Sequence, residues 1–333
     1  MILLDLSFSI RYLISMSASK SIIPPSSTAL ERASDLLHNG ELVAFPTETV
    51  YGLGADAMHD KAVAKIFEAK GRPSFNPLII HVPDMETAKQ YVIFDERAEI
   101  LGRVFWPGAL TMVLPRRKDC PISKLASAGL ETLAIRVPAN PLARQLLQVC
   151  RLPLAAPSAN PSGQISPTQA AHVATGLGDR VSMILDGGTC TIGVESTVVG
   201  FDEENVILLR PGGITKEQLE VHFPNVQEAN EESEISSPGM LLSHYAPSCP
   251  VRLNATDKHK NEAFLGFGRE YDKISTINLS VSGDLSEATA NLFSAFHLLD
   301  EQGAKQIAVA PIPNIGLGVA INDRLKRAAA PRP

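Results

Sequence analysis

The chain has 333 residues, of which 44% are apolar and 20% charged, and its formal net charge is -6. A chain of this length exceeds what one hydrophobic core usually organises, so we expect two domains. The apolar fraction excludes a wholly disordered protein. The mild acidity argues against general binding to a nucleic-acid backbone as the main task, although it is compatible with a local basic cleft.

The four cysteines indicate a reducing compartment. Cys120, Cys150, Cys190 and Cys249 form no C-x-x-C pair, and none has a histidine at zinc-ligand spacing. So few cysteines in so long a chain do not predict a disulfide framework. We therefore expect thiols without a catalytic role and a cytoplasmic protein.

The amino-terminal stretch from Met1 to Met16 is apolar but carries Asp5 and Arg11. It is too short for a comfortable membrane span, it has no basic region ahead of its apolar run, and no small-residue cleavage site follows it. Three interpretations stay open: a weak signal, an interfacial anchor, or an upstream start codon with Met16 as the true start. We favour the last, and treat residues 1–20 as an extension.

The first two thirds of the chain alternate predicted strands and helices. In chain order these are a helix Thr28–His38, a strand Leu42–Phe45, a helix Lys61–Ala69, a strand Leu78–Val82, a helix Glu96–Phe105, strands Leu110–Leu114 and Leu133–Val137, a helix after Pro141, a strand Leu154–Ala156, a helix starting at Ser166, strands Met183–Leu185, Thr197–Phe201 and Val206–Leu209, and a helix Thr215–Val221. Thr28 and Glu31 read as a capping box for the first helix. A later helix is predicted to start at Ser166, with Ser166 as its cap, Pro167 as the first-turn proline and Gln169 as the capping-box partner.

The composition changes after residue 224. Residues 225–248 are acidic and aperiodic in their first half, which is typical of a linker, and end in the specific-looking run His244-Tyr245-Ala246-Pro247. A smaller α/β pattern follows: strands Ala263–Gly266, Ile274–Leu279 and Gln306–Pro311, a long helix capped by Asp284 and Glu287, and a final helix Asn322–Ala330. We predict an α/β protein with a twisted mixed-sheet domain in residues 21–224 and a smaller, doubly wound, Rossmann-like domain in residues 249–333.

Several familiar site motifs are absent from the sequence. It contains no G-x-x-x-x-G-K-[ST], H-E-x-x-H, G-x-S-x-G or kinase signature. Gly52-Leu53-Gly54 lacks the third glycine of a dinucleotide fingerprint. These absences exclude a P-loop nucleotide site and leave the polar loops at the strand ends as the place to look for chemistry.

Cations and hydroxyls concentrate in those loops, where open α/β sheets usually bind ligands. Taken singly, each loop is ordinary turn chemistry, Arg136 and Arg210 read as structural ion-pair partners, and His81 on its apolar strand reads as a core histidine. Taken together, Lys70, Arg72, Arg136 and Arg210 predict a polyanion site in an otherwise acidic protein. A nucleoside triphosphate fits such a cleft.

Seven segments occur in one order along the chain: Pro46–Gly54, the K-x-R-P-x-x-x-P-L run at Lys70–Leu78, Trp106-Pro107-Gly108 with Thr111, Ala134–Pro138, Ala156–Asn160, Gly193–Thr197 and Leu209–Gly212. In this order they resemble the YrdC family. Ser237–Met240, His244–Pro247 and the ending Gly316–Ala329 resemble its long two-domain form, the threonylcarbamoyl-AMP synthases. The resemblance covers nearly the whole chain after residue 27, and residues 1–20 have no counterpart in it.

The resemblance implies an enzyme that joins L-threonine, bicarbonate and ATP into threonylcarbamoyl-AMP and releases pyrophosphate. It implies Mg²⁺ with the ATP, for which the sequence identifies no protein ligand. Downstream threonylcarbamoyl-transferase proteins would then move the threonylcarbamoyl group to the adenosine next to the anticodon in certain tRNAs. No stable membrane association is expected.

The resemblance also assigns residues to roles. The threonine pocket is implied to consist of Thr47, His81, Arg136, Ala156 and Ser196. ATP is implied to bind Lys70, Ser74, Thr111, Ser158, Asn160, Ser166, Arg210, His244 and Tyr245, with Lys70 and Arg72 as the catalytic cations. The planar fork of Arg136 suits the threonine carboxylate, and His244 with Tyr245 is implied to fold over the nucleotide as a lid.

Two rival interpretations stay open. A non-catalytic module for structured RNA is disfavoured by the net charge and by the absence of RNP-type aromatic motifs. A carbamoyl-AMP-forming enzyme of hydrogenase maturation would carry acylphosphatase-like and zinc-finger segments ahead of its YrdC part, and this chain has too few cysteines. Threonine-dependent release of pyrophosphate separates the three readings.

Overall fold

The computed structural model describes residues 22–72, 76–202, 204–229 and 244–331. The amino-terminal extension, Ser74 and linker residues 230–243 lie outside these ranges. Within them, strands and helices alternate into two β-sheets, one large and mixed, one small and parallel. The predicted α/β class, with a mixed-sheet domain followed by a smaller Rossmann-like one, is confirmed.

Eleven strands of the described residues form the large sheet, in the order β1-β8-β2-β3-β7-β4-β6-β5-β9-β10-β11. Their bounds are β1 Ile22–Ile23, β2 Val43–Phe45, β3 Gly52–Asp56, β4 Ile79–His81, β5 Leu110–Pro115, β6 Thr132–Arg136, β7 Leu154–Ala155, β8 Met183–Leu185, β9 Thr197–Phe201, β10 Val206–Arg210 and β11 Gln227–Glu228. Parallel and antiparallel pairs alternate irregularly: β4 runs parallel to β6, whereas β5 and β6 are antiparallel. Most of these strands are buried, as expected for a sheet covered by helices.

The second sheet has the order β12-β15-β13-β14, with every pair parallel. Its strands are β12 Val251–Arg252, β13 Ala263–Gly266, β14 Ile277–Asn278 and β15 Ile307–Val309. Its hydrophobic core includes three residues from the first part of the chain, Val50, Ile165 and Val194. The two sheets therefore share one apolar contact region.

The helices cover the faces of both sheets. Their bounds are α1 Ser27–His38, α2 Asp60–Lys70, α3 Met85–Ala88, α4 Glu96–Phe105, α5 Pro141–Cys150, α6 Ala170–Leu177, α7 Lys216–Glu220, α8 Leu285–Glu301 and α9 Leu317–Ala329. Among the described residues, no helix combines the length and the apolar character needed to cross a membrane.

Most predicted elements agree with the structure to within one or two residues. The bounds of α4, β8, β9 and β13 are as predicted, and α7 begins with a capping box formed by Thr215 and Gln218. The strand β3, by contrast, was not predicted, because Gly52 and Gly54 read as a turn. It forms through antiparallel pairing with β2 and β7, and a side chain on Gly54 would meet the Phe45 ring at 2.8 Å.

In the first domain, two predicted helix starts were wrong. The cap of α1 is Ser26, whose Oγ accepts from the Ala29 N–H at 3.0 Å, and not Thr28. The helix predicted to start at Ser166 begins only at Ala170, because the Ser166 hydroxyl donates to Glu195 instead of capping a helix.

The second domain also departs from two predicted bounds. The strand expected over Ile274–Leu279 shrinks to β14, since Ile274 and Ser275 turn back to donate their N–H groups to the Tyr271 carbonyl. The final helix begins at Leu317, five residues before the predicted Asn322. Its start follows Gly316, which adopts a positive φ of 51°.

The correction at α1 has a measurable consequence. Ser26→Ala removes the cap and should lower the free energy of unfolding by about 0.5–2 kcal/mol. Thr28→Ala, its matched control on the exposed face inside the helix, should change it by less than about 0.5 kcal/mol. Urea unfolding followed by circular dichroism measures both, and a larger loss for Thr28→Ala than for Ser26→Ala would contradict the assignment of the cap.

Candidate active site

A cavity lies over the middle of the large sheet, where loops of the first domain and the linker residues His244 and Tyr245 meet beside β4, β6 and β10. Its volume is about 50 Å³. Ten of the residues predicted from the sequence line it: Thr47, Arg72, His81, Arg136, Ala156, Ser158, Ser196, Arg210, His244 and Tyr245. The structure thus gathers residues that are up to 198 positions apart into one site, between Thr47 and Tyr245.

Four further predicted residues lie just outside the lining. Lys70 Nζ donates to the carbonyls of Ser158 and Asn160, both at 2.5 Å. The Thr111 and Ser196 hydroxyls are 2.8 Å apart, and Ser166 Oγ donates to Glu195 at 2.5 Å. Lys70, Thr111 and Ser166 therefore support residues that line the cavity. Asn160 borders a neighbouring cavity, and Ser74 lies outside the described residues.

Sheet register sets the floor of the cavity. His81 of β4 pairs with Arg136 of the parallel strand β6, so their side chains are neighbours on one face. The Ala156 N–H donates to the Ile79 carbonyl at 2.9 Å, which holds the loop after β7 against the same face. Register in the sheet therefore places the arginine and the histidine beside each other.

The turn between β2 and β3 forms one wall. Thr47 Oγ1 donates to the Val50 carbonyl at 2.7 Å and accepts from the Thr49 N–H at 3.1 Å, so its hydroxyl closes the turn. The same turn brings Thr49 and Glu48 to Arg136. Thr47 therefore shapes the wall in addition to lining the cavity.

Arg136 is held from three sides. Its Nη2 donates to Glu48 Oε1 at 2.5 Å, its Nη1 to Thr49 Oγ1 at 2.9 Å, and its Nε to the Gly108 carbonyl at 3.1 Å. A guanidinium has five N–H donors, so these bonds leave two for a ligand carboxylate. Arg136 is therefore a structural ion-pair partner, which was one of its two interpretations from the sequence, and it still has donors for a ligand. Its partner Glu48 was assigned no role in the sequence analysis.

Glu48 is itself anchored. Its Oε2 accepts from the N–H groups of Ala139 and Asn140 at 3.0 and 3.2 Å, at the start of α5. A carboxylate at a helix amino terminus is favoured by the helix dipole and by the free N–H groups. Arg136 is therefore fixed in orientation before any ligand binds.

The opposite end of the cavity is strongly cationic. Gly71 ends α2 in the left-handed conformation, with a φ of 59°. Lys70 before it and Arg72 after it are both buried. Burial, and then the charge of Arg72, hold the pKa of Lys70 well below its usual value, and burial lowers the pKa of Arg72 to about 10. Burial also lowers the pKa of Arg210. An anion bound here would offset the mutual repulsion of these groups.

His244 lies in the middle of these cations. Burial holds its pKa well below the ordinary value, and the charges of Arg72, Lys70 and Arg210 lower it further. Its ring contacts that of Tyr245, with centroids 4.1 Å apart. A neutral imidazole at this point offers a hydrogen-bonding group without adding to the positive charge.

A carboxylate and an arginine that sequence reasoning did not assign complete the site. Glu195 lines the cavity and pairs with Arg324 at 2.8 Å. Glu195 belongs to a loop segment that was noted only as polar. Arg324 lies in the ending Gly316–Ala329 but was assigned no role, because arginines in an amphipathic helix normally face solvent.

The arrangement has two chemically distinct ends. Arg136, with hydroxyls and an alanine around it, suits a small carboxylate ligand, and the cluster of Lys70, Arg72 and Arg210 suits a polyphosphate. The two ends share one cavity, so a reaction between a small acid and a phosphoanhydride is the chemistry that it supports best.

Comparisons with known proteins agree with this chemistry. Residues 35–212 match the family described as telomere recombination (Sua5, YciO and YrdC), and residues 214–330 match the carboxyl-terminal domain of threonylcarbamoyl-AMP synthase. The threonylcarbamoyl-AMP synthase of Bacillus subtilis strain 168 is 43% identical over 325 residues, covering 91% of this chain and 93% of that protein. The synthase of Pyrococcus abyssi strain GE5 is 41% identical over 323 residues, covering 90% and 94%. The crystal structure of P. abyssi Sua5 complexed with L-threonine superposes with a TM-score of 0.85 at 36% identity, covering 93% of this chain and 97% of that one.

The environment of His81 predicts a pH effect. Burial, and then the charge of Arg136, lower the pKa of His81 to about 3. Below pH 6.5 this histidine binds a proton in the unfolded chain but not in the folded one. The free energy of unfolding therefore falls as the pH drops from about 6.5 towards 3. The free energy of unfolding at pH 5 should therefore be about 2 kcal/mol lower than at pH 7 because of His81.

His81→Asn removes this titration. Urea unfolding at pH 7 and pH 5 should show that the variant loses about 2 kcal/mol less than the unchanged protein over this interval. The comparison between the two pH values cancels any loss of packing that the substitution causes at both. An identical loss in the two proteins would show that His81 takes up its proton in the folded state.

Proposed function

Because the chain belongs to the threonylcarbamoyl-AMP synthase family, as its resemblance predicted, we propose that it joins L-threonine, bicarbonate and ATP into L-threonylcarbamoyl-AMP and releases pyrophosphate. The observation that carries the proposal is a single cavity with the buried Arg136 at one end and the buried cations Arg72 and Arg210 at the other, with Lys70 directly behind its lining. The product serves threonylcarbamoyladenosine modification of tRNA next to the anticodon, through downstream transferase proteins.

The reaction makes two new bonds. Bicarbonate takes up a proton and loses water to give carbon dioxide. The neutral threonine amine then forms a C–N bond to that carbon and gives up one proton, so the two steps together yield a carbamate and one water. A carbamate oxygen then attacks the α-phosphorus of ATP, and the bond from that phosphorus to the bridging oxygen breaks to release pyrophosphate. Negative charge moves to the leaving pyrophosphate, so fixed cations beside it stabilise the transition state.

We assign the threonine end to Thr47, His81, Arg136, Ala156 and Ser196. Arg136 takes the threonine carboxylate with the two N–H groups that Glu48, Thr49 and Gly108 leave. Support comes from its fixed orientation and its burial at 3% exposure, since a charge-assisted bond is stronger where water is excluded.

We assign the nucleotide to the cationic end. Lys70 and Arg72 act as the catalytic cations that stabilise charge on the phosphates, with Arg210 beside them. The remaining residues assigned to ATP are Ser74, Thr111, Ser158, Asn160, Ser166, His244 and Tyr245. The carbonyl contacts of Lys70 hold its ammonium at the loop that contains Ser158, which supports a role close to the phosphates.

Mg²⁺ enters this proposal as part of the MgATP substrate. Among the described residues, no group of three or more His, Cys, Asp or Glu side chains is arranged to hold a metal ion. A bound ion would therefore take its oxygen ligands mainly from the phosphates, where it would offset their charge. The residues of the chain would bind the complex without supplying a metal cage.

We propose that His244 and Tyr245 form a lid that opens for substrate entry. Tyr245 is 1% exposed, and the cavity beneath it measures about 50 Å³, whereas sites for drug-sized ligands enclose roughly 300–1,000 Å³. A volume below that range supports a lid that moves to make room for ATP. Closure over the substrates would keep water from the unstable carbamate.

The division into residues 21–224, a linker 225–248 and residues 249–333 stays part of the proposal. The strand β11 lies beyond residue 224 and pairs with β10 of the large sheet. The four cysteines are free thiols, which fits action in the reducing cytoplasm.

The first test of the function is the dependence of pyrophosphate release on each substrate. The purified protein should release pyrophosphate from MgATP only when L-threonine and bicarbonate are both present, and mass spectrometry should detect threonylcarbamoyl-AMP. Assays without threonine, and assays in buffer freed of carbon dioxide, are the controls. Equal release without threonine would contradict the synthase reaction and reopen the RNA-binding alternative.

Arg136→Lys tests the threonine end. Lysine keeps a positive charge opposite Glu48 but loses the planar fork, so the KM for threonine should rise about tenfold to a hundredfold, as expected for the loss of a charge-assisted bond of about 1.5–3 kcal/mol. The KM for ATP should change less than about threefold. Arg97→Lys, which alters a surface ion pair with Asp95 at 2.6 Å, is the matched control and should change neither value. An equal rise in both KM values for Arg136→Lys would contradict the assignment.

A further inference from the structure

The last helix of the chain brings a fully buried charge to the edge of the site. Arg324 lies on α9 and has no exposed surface, although it carries a guanidinium. A charge so deeply buried is retained only where other groups bind it closely. Its partners come from both domains and from the lid.

The guanidinium contacts four groups. Its Nε donates to Glu195 Oε2 at 2.8 Å, and its Nη1 donates to the Pro211 carbonyl at 3.0 Å and to Asp323 Oδ2 at 2.6 Å. Its central carbon lies 5.1 Å from the centroid of the Tyr245 ring, within cation–π range. Arg324 therefore links the second domain to a cavity-lining carboxylate and to the lid at once.

Glu195 depends on this partner. Its Oε1 accepts from Ser166 at 2.5 Å, so the carboxylate joins Arg324 to a residue assigned to the nucleotide. Burial raises the pKa of Glu195, but the charges of Arg324 and Arg210 outweigh that effect and leave the pKa below its ordinary value. Without Arg324 the carboxylate would lose its direct ion pair inside the protein, and would take up a proton or turn away.

The lid depends on the same contact. The Tyr245 ring contacts both the Arg324 guanidinium and the Phe293 ring of α8, whose centroid is 5.6 Å away. Tyr245 adopts a φ of 63°, a conformation that costs energy in a residue other than glycine. The His244 N–H donates to the Arg327 carbonyl at 3.4 Å, which ties the lid to the end of α9 as well. The closed lid is thus seated on the second domain.

We propose that Arg324 is a positioning residue of the active site, by which the second domain holds Glu195 and Tyr245 in place around the nucleotide. The inference rests on the proposed function and extends it, since it gives the second domain a role in the reaction. Arg324 acts through its two partners and contacts neither substrate. Its loss should affect the nucleotide end and spare the threonine end, which Glu48 and Arg136 hold independently.

Arg324→Met tests the proposal, because methionine fills a similar volume without a charge. Calorimetric titration with ATP should show affinity at least tenfold weaker, and titration with L-threonine should change less than twofold. The KM for ATP should rise in parallel. A purely structural role would instead lower the melting temperature and the fraction of active protein, and leave both affinities unchanged.

Arg252→Met is the matched control. Arg252 pairs at 2.7 Å with Glu262, whose side chain is 2% exposed, and this pair lies within the second domain. Its loss leaves a buried carboxylate without its ion pair, as Arg324→Met does, but away from the cavity. It should lower the melting temperature and leave both affinities unchanged. If Arg252→Met weakens ATP binding as much as Arg324→Met, the inference is wrong.

Hydrogen exchange provides a readout that needs no substrate. The amides of His244 and Ala246, which donate to Arg327 and Gly163, should exchange at least tenfold faster in Arg324→Met than in the unchanged protein. Unchanged exchange at these amides overturns the inference, whatever the enzyme assays give. Failure of the unchanged protein to bind ATP, or to release pyrophosphate with threonine, overturns the proposed function instead, so the two failures are distinguishable.

Discussion

Several positively charged side chains surround one cavity, and they differ in whether their hydrogen-bond partner is a carboxylate or a backbone carbonyl. Glu48 holds Arg136, and Glu195 with Asp323 holds Arg324. Lys70 and Arg72 instead donate to backbone carbonyls, which provide dipoles but no negative charge. Burial of these groups costs free energy that only a ligand anion can recover in full.

That imbalance explains the division of the cavity into two ends. Arg136 has a carboxylate partner and therefore keeps a single orientation, which suits recognition of a small ligand by geometry. The cations near Gly71 and on β10 repel one another, which suits recognition of a polyphosphate by charge. Tyr245 contacts Arg324 and the His244 N–H donates to the Arg327 carbonyl, so α9 reaches the cavity through these two linker residues.

Local patterns predicted most of the framework. Helix α4 begins after Asp95, which caps it, and its apolar spacing was enough to give both ends. Strand β3 could not be predicted, because Gly52 and Gly54 favour a turn and become a strand only through partners that lie elsewhere in the chain. The false helix start at Ser166 has the same origin, since its hydroxyl is taken by Glu195, 29 residues away.

The residues of the site also fall into those that local sequence predicts and those that depend on distant contacts. The segments that contain Lys70, Arg136 and Arg210 were recognisable from their sequence, as was their tendency to meet at strand ends. Glu48 and Arg324 were not assigned, because their roles arise from contacts 88 and 129 residues distant in the chain, to Arg136 and Glu195. A buried ion pair has no signature in either local sequence, so its partners are known only once the chain is folded.

The packing of Gly193 against α8 carries a consequence for synthesis of the chain on the ribosome. Any side chain there would meet the Ala290 backbone at 2.6 Å, and the neighbouring Val194 is buried in the core of the second domain. The partner helix ends at Glu301, roughly a hundred residues later, and translation at about 5–20 residues per second takes on the order of ten seconds to reach it. Over that interval the nascent first domain exposes Val50, Ile165 and Val194, so the newly made enzyme passes through a period of vulnerability to aggregation that ends only when its last helices emerge.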